Sequence, residues 1–405
     1  MSTQQRAAAV SIPIIIACGC MIAILSFGPR SAFGLFQTDL VEARGWSREI
    51  FSLAFAIQNL MWGAGQPFAG IMADRYGTAR VLSFGAVLYA VGFALSAYAE
   101  LPVLFHIAAG VMCGLGMAAA SFSIVLAAFG RAVTPEKRSI AFGVGTAAGS
   151  LGQFIFAPLG VALIASYGWQ HSLVVMGLLI LLVIPLSYAL RGKGAAQAPD
   201  EPDQSVKQAL AQAFGHRSYV LLVIGFFVCG FQVAFITAHL PAFITDNGIS
   251  PAFGGYALAA IGLFNIIGSL AAGALGNRYP KQYSLAFIYI ARSVATVVFL
   301  SLPITAASIM VFASVMGLLW LSTVPLTSGL VAVMFGPRYM ATLFGFVFFS
   351  HQIGSFLGVW LGGRLYDTTG SYDLTWWISI ALGIAAAIVH WPIKDAPAPA
   401  VARPA

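Results

Sequence analysis

Two arginines sit deep inside apolar stretches. Arg30 follows Phe27-Gly-Pro29, and Arg292 lies in Ile288-Tyr-Ile-Ala-Arg-Ser-Val. A guanidinium presents a planar fork that holds a carboxylate by two parallel hydrogen bonds. His106, His239 and His351 are the titratable groups in comparable surroundings, and imidazole changes charge near neutral pH. The 13 acidic residues fall in loops, in polar stretches or at the ends of apolar runs, none at mid-run. Fixed positive charge without fixed negative charge suits an anion. No His-Asp, Ser-His or metal-ligand grouping accompanies these residues, so the sequence predicts no enzyme, no metal and no cofactor.

The elements that position them are set by composition. Of 405 residues, 60% are apolar and 8% charged, with 43 glycines, a mix selected by a bilayer rather than by water. A net charge of +7 in a soluble protein would point to nucleic acid; here it reflects basic loops, and no nucleic-acid partner is expected. Cys18, Cys20, Cys113 and Cys229 all fall in apolar runs and read as packing residues. The apolar segment after Arg6 is too long for a signal-peptide core and reads as a retained first span.

Spanning takes about 20 residues per helix. Twelve windows qualify, at about 11–37, 51–73, 81–99, 103–129, 141–165, 172–190, 219–243, 252–276, 283–301, 304–330, 339–363 and 374–393. Fifteen Lys and Arg fall on one side of this arrangement, against Arg44, Arg48 and Arg364 on the other, which predicts cytoplasmic termini. Residues 1–190 and 219–393 are expected as two six-helix bundles. A cytoplasmic linker at 191–218, with a short surface helix over Gln204–Phe214, joins them, and 394–405 is expected as a disordered tail.

The two halves share a motif. Gly70-Ile-Met-Ala-Asp74-Arg75-Tyr-Gly77-Thr-Ala-Arg80 returns 203 residues later as Gly273-Ala-Leu-Gly-Asn277-Arg278-Tyr-Pro280-Lys281. Gly45-Trp-Ser and Gly248-Ile-Ser keep the same offset. The loop motif, its weaker copy and the run Gly143, Gly145, Gly149, Gly152, Pro158-Leu-Gly160 resemble the major facilitator superfamily over essentially the whole chain. Phe27-Gly-Pro-Arg30, Gly45-Trp-Ser-Arg48 and Gly362-Gly-Arg-Leu-Tyr-Asp367 are similar to the monocarboxylate transporter and oxalate:formate antiporter branch. Two positions depart from that branch. Ser269 stands where an arginine is usual in span eight, and His351 aligns with the span-eleven lysine of oxalate-type antiporters.

The resemblance implies an all-α membrane protein of twelve helices whose halves rock around a central cavity. It further implies that Gly70, Asp74, Arg75, Gly77, Arg80, Asn277 and Arg278 serve gating, with Asn277 weakening the second latch.

Arg30 is the first candidate for the anion, in a helix that Pro29, Gly28 and Gly34 predict to be bent. Pairing with Asp39 or Glu42, or snorkelling, is the structural alternative. Gln232 aligns with Arg30 one residue off the repeat register and is expected to face it across the cavity. Arg292 reads equally as a substrate contact or a structural anchor. His351 is a candidate proton carrier or a satisfied core histidine, as is His239. Gln58, Gln153 and Asn265 are candidate cavity walls, with interhelical hydrogen bonding as the plainer reading.

The sequence thus predicts a monomeric secondary transporter of the bacterial inner membrane. Its substrate would be a small organic anion, a monocarboxylate or short dicarboxylate, moved by exchange or with H+. Efflux of hydrophobic compounds by the same fold is the alternative and would favour embedded acids. A membrane enzyme or a sensor fits less well.

Overall fold

The computed structural model describes residues 11–191, 206–276, 278–336 and 340–398, with the side chains of residues 74, 122, 135–140, 206 and 341 left aside. The described residues are helical throughout, with no strand among them. Among the described residues, ten helices are long and apolar enough to cross a bilayer. One of these, Ala141–Leu190, has 50 residues, at ~1.5 Å per residue more than twice the depth of a bilayer's apolar core. Gly168 divides it: a φ of 73° and ψ of 166° reverse the chain there, which glycine does without steric cost. Splitting that helix and counting Arg48–Tyr76 gives the twelve expected spans.

Span one is Ile12–Ser31, span two Arg48–Tyr76, span seven Arg217–Asp246 and span eleven Met340–Thr369. Span eight is Ala252–Leu275, span nine Lys281–Ser301 and span twelve Asp373–His390. Span ten comes in two pieces, Ala306–Leu319 and Thr323–Phe335.

Buried apolar side chains collect into two clusters. One is built mainly from Ile22 to Leu190, the other mainly from Ala213 to Ile393. Between the clusters, span two packs on span eleven and span five on span eight. Within the second, Gly354 and Gly358 of span eleven lie directly on the backbone of Phe227 and Phe231 in span seven. Without a hydrophobic drive between helices in lipid, such close backbone approach supplies the attraction.

The chain end departs from expectation. The Lys394 N–H donates to Ser218 Oγ at 3.1 Å, Lys281 Nζ pairs with Asp395 at 3.3 Å, and the Ala398 N–H reaches Met334 O at 2.9 Å. Residues 394–398 therefore strap the starts of spans seven and nine to the end of span ten, where a disordered tail was expected. Two helix-end backbone groups are satisfied in this way: the Met334 carbonyl at the end of span ten, and the Lys281 N–H at the start of span nine, which the Asp395 carboxylate accepts at 3.1 Å. Residues 399–405 and most of the linker, 192–205, lie outside the described residues; the helix beyond the linker runs Val206–Gly215.

Candidate functional site

Span one carries Arg30 in its last turn, and the side chain is only 4% exposed. One guanidinium nitrogen donates to Asn59 Oδ1 of span two at 2.5 Å. Arg30 Nε is buried without a hydrogen-bond partner among the described residues. The cation is boxed by rings: its Cζ lies 5.6 Å from Phe27, 5.7 Å from Phe55 and 5.0 Å from Trp62. Its described partners are thus an amide and three aromatic faces, and neither Asp39 nor Glu42 is among them. A cation so placed is attracted by the rings' negative faces, yet retains donor capacity.

Asn59 is tied down on its other atoms. Its Nδ2 donates to Phe55 O at 2.8 Å, and its backbone carbonyl accepts from Gln352 Nε2 of span eleven at 3.1 Å. Gly63 lets Gln352 in: a Cβ there would come within 2.7 Å of Gln352 Cγ. Gln352 Oε1 in turn faces His351 Nδ1 at 3.0 Å, with Ser355 Oγ 3.4 Å from the same ring nitrogen. His351 stacks on Phe348 at 5.7 Å and 7°, and Phe348 meets Trp62 edge-on at 5.2 Å. Arg30 and His351 therefore sit at two ends of one polar and aromatic bridge across the halves.

Arg292 is built differently. It is fully buried, and span ten is broken beside it. A helix break leaves backbone carbonyls without intrahelical donors, and such groups are costly in an apolar medium. Arg292 donates to Leu319 O from Nε at 3.1 Å and from a terminal nitrogen at 2.6 Å. It also donates to Trp320 O, to Gln232 Oε1 at 3.3 Å and to Cys229 Sγ at 3.5 Å. Asn265 closes the same break, accepting the Leu321 N–H at 3.0 Å.

Gln232 is correspondingly occupied: its amide nitrogen donates to Ser379 O at 3.0 Å, and its oxygen serves Arg292. The expected facing pair of Arg30 and Gln232 is thus not what these bonds form. The repeat register carried Gln232 to a related position on its helix, but spans nine and twelve, not span one, lie against its amide.

The remaining candidates are mostly bound to neighbours. Gln58 Nε2 donates to Ala109 O of span four at 2.9 Å, turning it into its own bundle. Gln153 Nε2 reaches Leu258 O at 3.2 Å and Asn265 Nδ2 reaches Ser150 Oγ at 2.9 Å, both joining span five to span eight. His239 is buried between Val359 O at 2.9 Å and the Tyr372 hydroxyl at 3.3 Å.

Of the residues expected to serve gating, Gly77 adopts φ 96° where span two turns into Thr78–Tyr98, a conformation that favours glycine. Gly70 has open space where a Cβ would go, and Arg75 and Arg80 are exposed. Arg278 lines an open surface cavity with Lys281 and Asp395. The Asp74 side chain and Asn277 lie outside the described residues.

On the face opposite the loop motif the halves are clamped by residues that composition did not single out. Arg48 forms two 2.6 Å bonds to the Asp246 carboxylate, donates to the Tyr372 hydroxyl at 2.8 Å and lies 3.8 Å over the Tyr366 ring. Asp367 accepts the backbone N–H groups of Arg48 at 3.1 Å and Glu49 at 2.7 Å, so a carboxylate from span eleven caps the N-terminus of span two. Arg364 pairs with Glu49 at 2.9 Å. Burial pushes the Tyr372 phenol above its usual range, and the nearby Arg48 opposes that rise. The signal for this clamp was the opposite charges at the outer ends of the two halves, with Arg48 and Asp367 inside the stretches that carried the resemblance.

Residues 19–359 match the family model described as Major Facilitator Superfamily. The chain is 26% identical to an uncharacterised MFS-type transporter, YcxA of Bacillus subtilis strain 168, across 90% of this chain and 91% of that one. It is 26% identical to monocarboxylate transporter 13 of Rattus norvegicus, covering 89% and 84%. With human monocarboxylate transporter 11 the identity is 24%, covering 93% and 82%. Among solved structures, a bacterial homologue of the human lysosomal transporter Spinster, in an inward-facing and unoccupied conformation, superposes with a TM-score of 0.73 at 14% identity, over 94% of this chain and 96% of that one. A D-xylose-proton symporter gives 0.72 at 14%, over 96% and 97%. At that identity the likeness to both speaks for the fold alone.

Proposed function

The chain belongs to the Major Facilitator Superfamily and is a multi-pass membrane transporter rather than an enzyme; from that premise we propose that it carries a small organic anion bound at Arg30. The observation that carries this reading is the buried guanidinium without a described carboxylate partner, its Nε unbonded. Buried donors are nearly always satisfied, and one left open at mid-membrane needs an acceptor. The relatives named as monocarboxylate transporters support the same class, a monocarboxylate or short dicarboxylate.

Transport proceeds by alternating access between the halves at 1–190 and 219–393, joined by the linker at 191–218. The clamp at Arg48 and Asp246 holds one face shut, while Gly70, Asp74, Arg75, Gly77, Arg80, Asn277 and Arg278 serve the opposite gate. His351 takes the coupling proton where transport is symport; exchange needs none. His239, Gln58, Gln153 and Asn265 act as positioning and wall residues. The protein works as a monomer in the bacterial inner membrane with both termini cytoplasmic.

The test is uptake of labelled carboxylates into proteoliposomes by wild type and Arg30→Gln, beside thermal stabilisation by carboxylates, lipophilic cations and neutral compounds. A bound ligand raises apparent stability by mass action. Carboxylate uptake and stabilisation that vanish in Arg30→Gln support the reading. Stabilisation by lipophilic cations or neutral compounds alone would favour efflux of such compounds instead.

A further inference from the structure

Trp62 of span two presents a second open donor in the same place. Its indole Nε1 is buried and finds no hydrogen-bond partner among the described residues, as does Arg30 Nε. The two side chains touch, with the guanidinium carbon 5.0 Å from the indole centroid. Indole is a donor only, so the orphan is satisfied by an acceptor and by nothing else. The side chains in ring or hydrogen-bond contact with the pair offer none to spare. Phe27, Phe55 and Phe348 are apolar rings, and the Asn59 amide oxygen already serves Arg30.

We infer that Trp62 is a substrate-binding residue whose Nε1–H bonds one oxygen of the carboxylate while Arg30 holds the other. The inference rests on the anion reading of Arg30. Its chemical logic is division of labour: the arginine supplies the charge, and the indole supplies a neutral donor. One cation is then matched by one carboxylate, with no second charge to neutralise. The indole also spans the seam, since its ring meets Phe348 of the other half edge-on at 5.2 Å. The carbon skeleton of the substrate packs against these rings, where large flat faces remove apolar surface from water. Trp62 therefore sets both how the carboxylate is held and which organic group follows it.

The experiment measures binding of butyrate and of the neutral analogue butyramide to purified protein, by calorimetry and thermal shift. It compares wild type with Arg30→Gln, Trp62→Phe and Phe348→Leu. Trp62→Phe keeps an aromatic ring and removes the N–H, whereas Phe348→Leu keeps the N–H and removes the ring contact. Losing one hydrogen bond to a charged ligand corresponds to roughly a 10- to 100-fold weaker Kd. The expected result is that loss for butyrate in Trp62→Phe, at most about threefold in Phe348→Leu, and no comparable loss for butyramide in either.

Equal butyrate losses in Trp62→Phe and Phe348→Leu would make Trp62 a packing residue and overturn the inference. So would unchanged butyrate affinity in Trp62→Phe beside abolished binding in Arg30→Gln, an outcome that leaves the anion reading standing. Failure of wild type to bind butyrate, benzoate or any other carboxylate of the panel would overturn both. Should Trp62→Phe not fold, 1-methyltryptophan placed at position 62 keeps the ring and blocks only the N–H, with the same expected loss.

Discussion

Arg30 and Arg292 are both buried arginines without a described carboxylate partner, yet they live in opposite economies of hydrogen bonding. Around Arg292 everything is closed: two carbonyls freed by the break in span ten, the Gln232 amide and the Cys229 sulfur take up its donors. Around Arg30 the structure leaves donors over, with one amide acceptor, three rings and an unbonded Nε. The same residue type therefore ties down a helix break in one half and keeps a donor open in the other. A guanidinium surrounded by backbone and side-chain acceptors has its donors taken up, and one beside a single amide and three rings keeps donors open.

The largest expected effect comes from breaking the anchor. Arg292→Met should leave the Leu319 and Trp320 carbonyls buried and unbonded, a cost of about 1–3 kcal/mol for each group. Thermal unfolding in detergent should show a sharp loss of stability, or no monodisperse protein at all, with or without carboxylate. A variant as stable as wild type that had merely lost transport would invert the comparison, making Arg292 the receptor.

Arg30→Gln should behave in the opposite way. We expect near wild-type stability, because few bonds are lost, together with carboxylate binding weakened about 100-fold or more through loss of a charge-assisted contact. The readout is butyrate affinity set beside unfolding temperature for each variant.

A smaller effect belongs to the clamp. Asp246→Asn removes a partly exposed ion pair worth ~1 kcal/mol, which shifts the balance between the two faces about fivefold. Alkylation of a single cysteine introduced at Ser52, in a background lacking the native cysteines, should speed up by that factor. An unchanged rate would mean that Asp367 and Arg364 hold the face without the Arg48 pair.

The smallest effect sharpens the picture of Arg30 itself. Asn59 Oδ1 competes with any incoming carboxylate for the guanidinium. Asn59→Leu should therefore tighten butyrate binding a few-fold, since a competing hydrogen bond of ~1 kcal/mol is gone. Weaker binding would mean that Asn59 orients the arginine rather than masking it.

Much of the fold was legible because a bilayer imposes simple rules. Backbone groups must be bonded within the protein, nearly all of them inside their own helix, so spans appear as long apolar runs and loops as brief polar interruptions. Gly77 at φ 96° and Gly168 at φ 73° stand where the chain must turn, and the loop motif could be read from its spacing. Arg30 stood out for a similar reason, as a charge inside an apolar run that holds no acid at its middle.

What residue order could not convey was which helices lie against which. Gln232 was placed by repeat register, but an amide bonds whatever lies within 3 Å or so of it, and that proved to be Ser379 and Arg292. The break in span ten falls at Trp320-Leu-Ser322, just before Pro325, which marks the start of the second piece, but nothing in residue order shows that the freed carbonyls turn to Arg292.

The sequence by itself determined that this is a duplicated twelve-span helical membrane protein with positive charge, and no acid, at mid-depth. Those properties depend on composition and period, which are local. Only the tertiary structure decided which arginine is spent and which is open, that Asn59, Gln352 and Trp62 surround the open one, and that Arg48, Asp246 and Asp367 clamp the far face. Each of those depends on contacts between residues separated by tens to hundreds of positions, and hydrogen bonding is decided by distances of a few ångströms that only packing sets.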